Sequence, residues 1–326
     1  VQVVVGTHAL IQERVRFDSL GLVVVDEQHR FGVRQRMALL QREDVRPDVL
    51  VMSATPIPRS LAMALYGDLD LSVLDEVPPG RTPVVTTLRS RDERDDVYRF
   101  VESQLAAGRQ AYVVYPLVAE SEKVDLLAAT DEYERLRRHV FPRWRVGLLH
   151  GQLPSTEKDS VMRSFLAGEI HVLVATTVIE VGIDVPNASV MVVEHAERFG
   201  LSQLHQLRGR VGRGEGASHC ILVAEPGPGA FERLDVFRRT RDGFEIAKAD
   251  LRLRGQGDLF GSQQHGKDPV LRFADLVRDE DLLLAAQQEA RAILARDPEL
   301  EAPEHARVRA QLQGRYRERL AMYGVG

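Results

Sequence analysis

The sequence predicts an α/β protein: two consecutive units built on parallel sheets, the first incomplete, followed by a mainly helical segment. Three observations predict it. Short aliphatic runs recur at Leu22–Val25, Val49–Met52, Ala111–Tyr115, Val146–His150, Val172–Ala175, Val190–Val193 and Ile221–Ala224. Continuous apolar runs of that length fit strands buried on both faces. Between them lie stretches with helical apolar spacing, such as Thr156–Ala167 with Val161, Met162, Phe165 and Leu166. Polar residues then collect directly after several strand ends, where open α/β sheets bind ligands.

In chain order, Val1–Val5 reads as a buried strand, followed by Gly6, Thr7 and His8. Leu22–Val25 reads as a central strand ending in Asp26, Glu27, Gln28 and His29. Val49–Met52 repeats the design and ends in Ser53, Ala54, Thr55 and Pro56. The turn-rich stretch Pro78–Pro83 separates a first unit, residues 1–83, from a second, residues 84–225. In the second unit, 92–107 reads as a helix before the Ala111–Tyr115 strand, and 123–139 as an insertion or a long helix. The Val172–Ala175 strand ends in Thr176 and Thr177, and a helix from Gly200 runs to Arg208. From residue 226 the character changes. Helices at Phe231–Arg239 and Ile246–Leu253 precede a glycine-rich loop from Arg254 that runs on to Gln264. The last fifty residues are charged and helical, without a chemical motif.

Composition sets the bounds. An apolar fraction of 44% in 326 residues supports packed cores and excludes a disordered chain. No apolar run approaches the ~18 residues that span a bilayer. The single cysteine, Cys220, excludes an intramolecular disulfide and reads as core. A net charge of −5 neither supports nor excludes a nucleic-acid partner. Basic residues cluster at 198–213 and 233–241, and carboxylates at 92–96 and 297–304. His8, His29, His150, His195 and His205 show no metal-ligand spacing.

Four stretches carry chemistry. Asp26 and Glu27 at a strand end suit a magnesium ion held directly or through water, with a second carboxylate to polarise the attacking water. In isolation they read better as a solvated turn after a strand; the buried run before them and Gln28 and His29 after them favour a site. Ser53 and Thr55 offer hydroxyls in a tight turn one strand later. The Thr176–Asp184 stretch sits at another strand end, where Thr176, Thr177 and Gly182 suit close approach to a phosphodiester backbone. Glu180 or Asp184 there suits a nucleotide sugar, and a plain strand–loop–helix unit is the alternative. Gln206–Arg213 reads Gln-Leu-Arg-Gly-Arg-Val-Gly-Arg. Arg210 and Arg213, three apart, share a face if the helix continues. Their flat forks match phosphate oxygens, and the glycines allow a bulky anion to approach. A basic helix end in solvent is the alternative.

In this order, these stretches resemble motifs II, III, V and VI of the superfamily 2 helicases. Further segments sharpen the resemblance: Asp26–Val33, Ala54–Arg59, Leu74–Pro83, Glu194–Leu201 and Asp250–Gly255 are similar to the RecG family of branch-migrating DNA helicases. The transcription–repair coupling factor Mfd is the next resemblance, weaker over residues 26–33 and 74–83. The resemblance implies RecA-like lobes using ATP and Mg2+. Asp26 then holds the metal, Glu27 activates water, and Gln28, His29, Gly182 and Asp184 line the nucleotide. Gln206 senses its state, and Arg210 and Arg213 reach the phosphates. Gly6, Thr7, His8, Ser53, Thr55, Thr176 and Thr177 are implied to meet DNA, with Arg233 and Gln264 coupling hydrolysis to movement. Arg233 lies on a helix whose Leu234 and Phe237 face inward, which leaves its guanidinium free.

The implied partner is branched double-stranded DNA, with single-strand DNA-binding protein a further candidate. A monomer in the bacterial cytoplasm, associated with the nucleoid and with no membrane contact, is implied as well. One departure stands out: the phosphate-cradling Gly-x-x-x-x-Gly-Lys-Thr is absent from the sequence. The chain is therefore expected to be a C-terminal fragment, inactive alone as an ATPase. The rival readings are a non-catalytic DNA-binding module and an Mfd-like translocase.

Overall fold

The computed structural model describes residues 2–12, 15–27, 47–53, 70–74, 76, 82–116, 122–176, 184–214, 216–225, 227, 229–254 and 278–315. The chain divides into two compact units. One holds Val1–Pro56 with Asp75–Leu253, the other Ile57–Leu74 with Arg254–Gly326.

Within the first unit, β1 (Leu22–Val25) and β2 (Asp48–Val51) pair in parallel, Val25 opposite Val51. The expected central burial is not met: Val25 is buried, whereas Leu22, Val24 and Leu50 are more than half exposed. The Val1–Val5 strand is likewise not formed over residues 2–5, and Val3 and Val5 are exposed. A strand needs a ladder partner, and neither β1 nor β2 offers its free edge to these residues.

The larger sheet has six parallel strands: β3 (Val85–Ser90), β4 (Gln110–Val114), β5 (Val146–Leu149), β6 (Val172–Ala175), β7 (Ala188–Val193) and β8 (His219–Ala224). Their spatial order is β3-β8-β7-β4-β6-β5. Side chains alternate between the two faces with period two, so each central strand feeds two cores. Tyr112, Leu173, Met191, Cys220 and Leu222 enter one core, while Ala111, Val113, Val174, Val192 and Ile221 enter the other. Burial on both faces is why β4, β6 and β7 read as unbroken apolar runs.

Helices α1 (Arg94–Ala106) and α2 (Glu122–Arg135) cover the second face, through Val97, Val101 and Leu105 of α1 and Ala129 of α2. A π-helical turn, Leu136–Val140, extends α2 and brings both Leu136 and Phe141 into that core. Helices α3 (Ser155–Leu166), α4 (Leu201–Arg208) and α5 (Ala230–Arg239) cover the first face. In α3, Met162 and Phe165 point inward as their spacing predicts, but Leu166 is half exposed at the helix end. In α4, Leu201, Leu204 and Leu207 are buried, each contributing roughly 1.5–3 kcal/mol of burial. Helix α6 (Gly243–Arg254) follows and packs Ile246 under the same face.

Strand β3 escapes a reading from sequence because Thr86, Thr87 and Arg89 make it a half-exposed edge strand without an apolar run. In the second unit, α7 (Glu280–Arg296) and α8 (Ala306–Arg315) meet at a tight corner. There Asp297 accepts from the Glu301 and Ala302 amides and faces His305 Nδ1 at 2.7 Å. No helix among the described residues is long and apolar enough to cross a membrane.

Candidate functional site

The six-stranded sheet gathers candidate site residues at both ends of its strands, each group with a different character. At the carboxyl edge, Thr176 follows β6 and His150 follows β5, its neighbour in the sheet. The Thr176 amide donates to the Leu149 carbonyl at 3.2 Å, which fixes the two residues side by side. Thr176 is fully buried. Its Oγ1 and the Nδ1 of His150 are buried without a hydrogen-bond partner. An orphaned buried polar atom costs about 1–3 kcal/mol, so two together at a sheet edge call for an explanation. Lys158, on α3, donates from Nζ to the Gly151 carbonyl beside them. Burial, reinforced by the Lys158 charge and opposed by Glu157, holds the His150 pKa below its ordinary value. The imidazole is therefore neutral at pH 7. A hydroxyl, a neutral imidazole and an ammonium side by side suit an anion with several oxygens.

Also at this edge, Glu194 directly follows β7 and Tyr115 directly follows β4, and both join a buried network. Arg94 of α1 donates to Glu194 Oε1 at 2.9 Å, to the Tyr115 hydroxyl at 3.0 Å and to Glu132 Oε2 at 2.8 Å. The Tyr98 hydroxyl donates to Glu194 as well. Burial alone would lower the Arg94 pKa, but Tyr98, Glu194, Tyr115 and Glu132 outweigh it and push the value up. The network ties the strand ends to α1 and α2.

The arginines lie at the opposite edge. The expectation that Arg210 and Arg213 share a helical face is not met, because α4 ends at Arg208 with Gly209 as its cap. The loop continues through Gly212 at φ 83°, a left-handed conformation that ends any helical periodicity. A Cβ on Gly212 would lie 2.7 Å from Val84 Cγ2. Close approach here thus serves packing between the loop and the residue preceding β3. Arg213 folds back, its Nε donating to the Gly209 carbonyl at 3.2 Å and its Nη1 lying 3.6 Å from Asp184 Oδ2. That ion pair is partly exposed and is worth about 0–1 kcal/mol, so an anion can displace it. Tyr112 reports on the same cluster: burial raises its hydroxyl pKa to about 12, opposed by Arg210 and Arg213 and aided by Asp184. The structure therefore brings together Asp184, Arg210 and Arg213.

Asp26 and Glu27 lie on the other sheet, at the carboxyl end of β1. Asp26 is exposed, and its Oδ1 accepts from the Glu27 amide at 2.8 Å. Glu27 sits at φ 52°, a conformation costing about 1–3 kcal/mol and typical of functional turns. Ser53 is exposed just beyond β2, at the same edge. Gly6 and Thr7 are exposed. Thr7 accepts from the Ala9 amide and caps a 3-10 turn that opens at His8. Gln28, His29, Thr55, Thr177, Gly182 and Gln264 lie outside the described residues.

An exposed carboxylate at a strained strand end fits a hydrated magnesium ion, and the Arg213 fork fits phosphate oxygens. This chemistry makes Asp26 and Arg213 candidates for metal and phosphate contact.

One arginine departs from the sequence reading, and another was passed over by it. Arg233 of α5 is not free: its half-buried Nη2 donates to the Glu197 carbonyl, in the turn after β7. Arg208 is 5% exposed and faces the core. Its Nη1 donates to the Phe237 and Thr240 carbonyls at 3.1 and 3.0 Å, and its guanidinium carbon sits 4.2 Å from the Phe237 ring centroid. The signal for Arg208 was present, since it follows Leu201 and Leu204 at i+7 and i+4 on the apolar stripe of α4. His150 and Lys158 were missed because only the sheet register sets them beside Thr176.

A parallel six-stranded sheet with a helix and an arginine loop between β7 and β8, beside a parallel pair whose first strand runs into Asp26 and Glu27, has the architecture of RecA-like helicase lobes. Residues 93–215 match the family described as helicase conserved C-terminal domain, and residues 1–64 match the DEAD/DEAH box helicases. Residues 240–321 match the C-terminal part of domain 3 of the ATP-dependent DNA helicase RecG. The chain belongs to the RecG family. It is 51% identical to the ATP-dependent DNA helicase RecG of Synechocystis sp. over 97% of this chain and 38% of that one. It is 50% identical to that of Bacillus subtilis over 96% of this chain and 46% of that one. It thus spans less than half the length of these relatives. A solved structure of RecG bound to a three-way DNA junction superposes with a TM-score of 0.66 at 51% identity, covering 86% of this chain and 35% of that one. The helicase MrfA bound to DNA and AMPPNP, 18% identical, shares the fold at a TM-score of 0.52 over 71% of this chain and 37% of that one.

Proposed function

We propose that this chain supplies the second motor lobe and coupling segment of an ATP-driven translocase that remodels branched double-stranded DNA. On this reading residues 1–83 belong to the first lobe, 84–225 form the second, and 226–326 couple the motor to DNA. The observation that carries the proposal is the 51% identity to a RecG chain solved on a three-way junction, together with the Asp184–Arg210–Arg213 cluster. Asp26 holds magnesium, and Glu27 orients the attacking water and takes its proton. Arg210 and Arg213 grip the phosphates as the lobes close, Arg213 exchanging Asp184 for phosphate oxygens. A magnesium ion held at Asp26 would supply charge neutralisation for the transferred phosphoryl group. Gln206 senses the nucleotide state. At the other edge, Thr176, His150 and Lys158 receive a DNA phosphate, which satisfies the two orphaned polar atoms.

The test is a chimera that joins this chain to the N-terminal part of the Bacillus subtilis relative. The expected result is ATP hydrolysis stimulated by junction DNA, unwinding of a three-way junction, and loss of both in Glu27→Gln. Hydrolysis that is indifferent to DNA, or binding to linear duplex as tight as to a junction, refutes the reading.

A further inference from the structure

Arg208 is the one arginine of the Gln206–Arg213 stretch that the phosphate reading leaves without a role. It is buried, and no carboxylate pairs with it among the described residues. Its compensation is the carboxyl end of α5. The Phe237 and Thr240 carbonyls take Nη1 at 3.1 and 3.0 Å, where the helix dipole is negative. Thr86 of β3 adds a contact at 3.5 Å, and the Phe237 ring covers the guanidinium face. Guanidinium is charged at any working pH, so separating α5 from α4 would strand a buried cation. The upstream part of α5 is held as well, through Arg233 and the Glu197 carbonyl.

We propose that Arg208 is a positioning residue that makes α5 and the arginine loop move as one body, so that phosphate contact at Arg210 and Arg213 displaces the coupling segment. The inference rests on the translocase reading above. Arg208 lies two residues before Arg210 and touches no phosphate. Its fork joins one end of α4, where the phosphate grip begins, to the end of α5, from which the chain enters α6. Lysine cannot reproduce the link, because an ammonium neither bridges two carbonyls in the plane of a fork nor stacks on a ring in the same way.

The experiment compares Arg208→Lys and Arg208→Gln with the parent in the chimera, alongside hydrogen exchange on this chain. The expected result is DNA-stimulated hydrolysis within about threefold of the parent and junction unwinding down by about tenfold or more, so that fewer base pairs open per ATP. Amides at 235–240 should exchange about tenfold faster in both variants, with β4 and β6 unchanged. A purely stabilising residue would lower hydrolysis and unwinding in proportion, through the amount of folded protein. Parallel loss, an unchanged unwinding yield, or unchanged exchange at 235–240 overturns the proposal. If the parent chimera lacks DNA-stimulated hydrolysis, the translocase reading fails. The exchange arm on this chain still decides whether Arg208 binds α5 to α4.

Discussion

Replacing Gly212 by alanine tests whether the arginine loop is held by close packing or merely lies on the surface. Two costs add. At φ 83° a side chain enters the left-handed region, which costs about 1–2 kcal/mol. The new Cβ would also lie 2.7 Å from Val84 Cγ2. Valine is stiff about its single χ angle, so the backbone must yield, at about 1–3 kcal/mol. The expected destabilisation of the six-stranded unit is therefore about 2–5 kcal/mol. Trp144, the single tryptophan, precedes β5 in that unit and reports its unfolding alone. With a urea slope of about 2 kcal/mol/M, the midpoint by Trp144 fluorescence should fall by about 1–2.5 M. Gly168→Ala isolates the first cost, because that residue has φ 77° with open space where the Cβ would go. Its midpoint should fall by about half as much or less. If Gly212→Ala shifts the midpoint no more than Gly168→Ala does, the Val84 contact is not made and the packing argument is wrong.

In the chimera, Arg210→Ala or Arg213→Ala should lower kcat by roughly 10³–10⁵ with junction affinity within a few-fold, as for other arginines that reach a transferring phosphate. A variant with near-parental hydrolysis would remove that arginine from the phosphate grip. This chain by itself should hydrolyse no ATP above background, because positioning and charge neutralisation of the phosphates dominate this chemistry and the cradle is absent from the sequence. Magnesium-dependent turnover that Glu27→Gln abolishes would contradict it. In the second unit, contacts from His305 and the Ala302 and Glu301 amides hold the Asp297 pKa down to about 2 from 3.8. A depressed carboxylate stabilises above its unfolded pKa and loses that contribution as pH falls through the folded one. The α7–α8 corner should therefore keep its exchange protection down to about pH 4 and lose it towards pH 2, and Asp297→Ala should lack that pH-dependent step.

The six-stranded sheet was legible because strands buried on both faces leave a signal that survives without partners. Val172–Ala175 could hardly be anything else, and the structure reproduces its bounds. β3 was not legible, since an edge strand half open to water shares its composition with loops. β1 and β2 pair in parallel as read, but burial is a property of neighbours that no single run contains. The same limit governed the site. Asp26, Glu27, Arg210 and Arg213 could be named from local chemistry, but their placement could not. Helical spacing set Arg210 and Arg213 on one face, whereas the helix ends at Arg208 and Gly212 turns the following loop. His150 and Thr176 are twenty-six apart in sequence and adjacent only through the β5–β6 register.

The two edges of the sheet bear on how such a lobe works. The candidate phosphate-contacting arginines and the candidate DNA-contacting residues lie at opposite ends of the parallel sheet, so no side chain spans them. What spans them is α4. It starts after Gly200, which follows the carboxyl end of β7, and ends at Arg208, ahead of the amino end of β8. Eight residues give a rod of about 12 Å. Leu201, Leu204 and Leu207 seat it on the sheet, so it cannot bend without opening the core. At its start, the turn after β7 presents the Glu197 carbonyl to Arg233; at its end, Arg208 grips the carbonyls of α5. On the proposed reading, a displacement of the arginine loop by phosphate has one stiff path towards the candidate DNA-contacting edge and one towards α5 and α6. Both begin within three residues of Arg210.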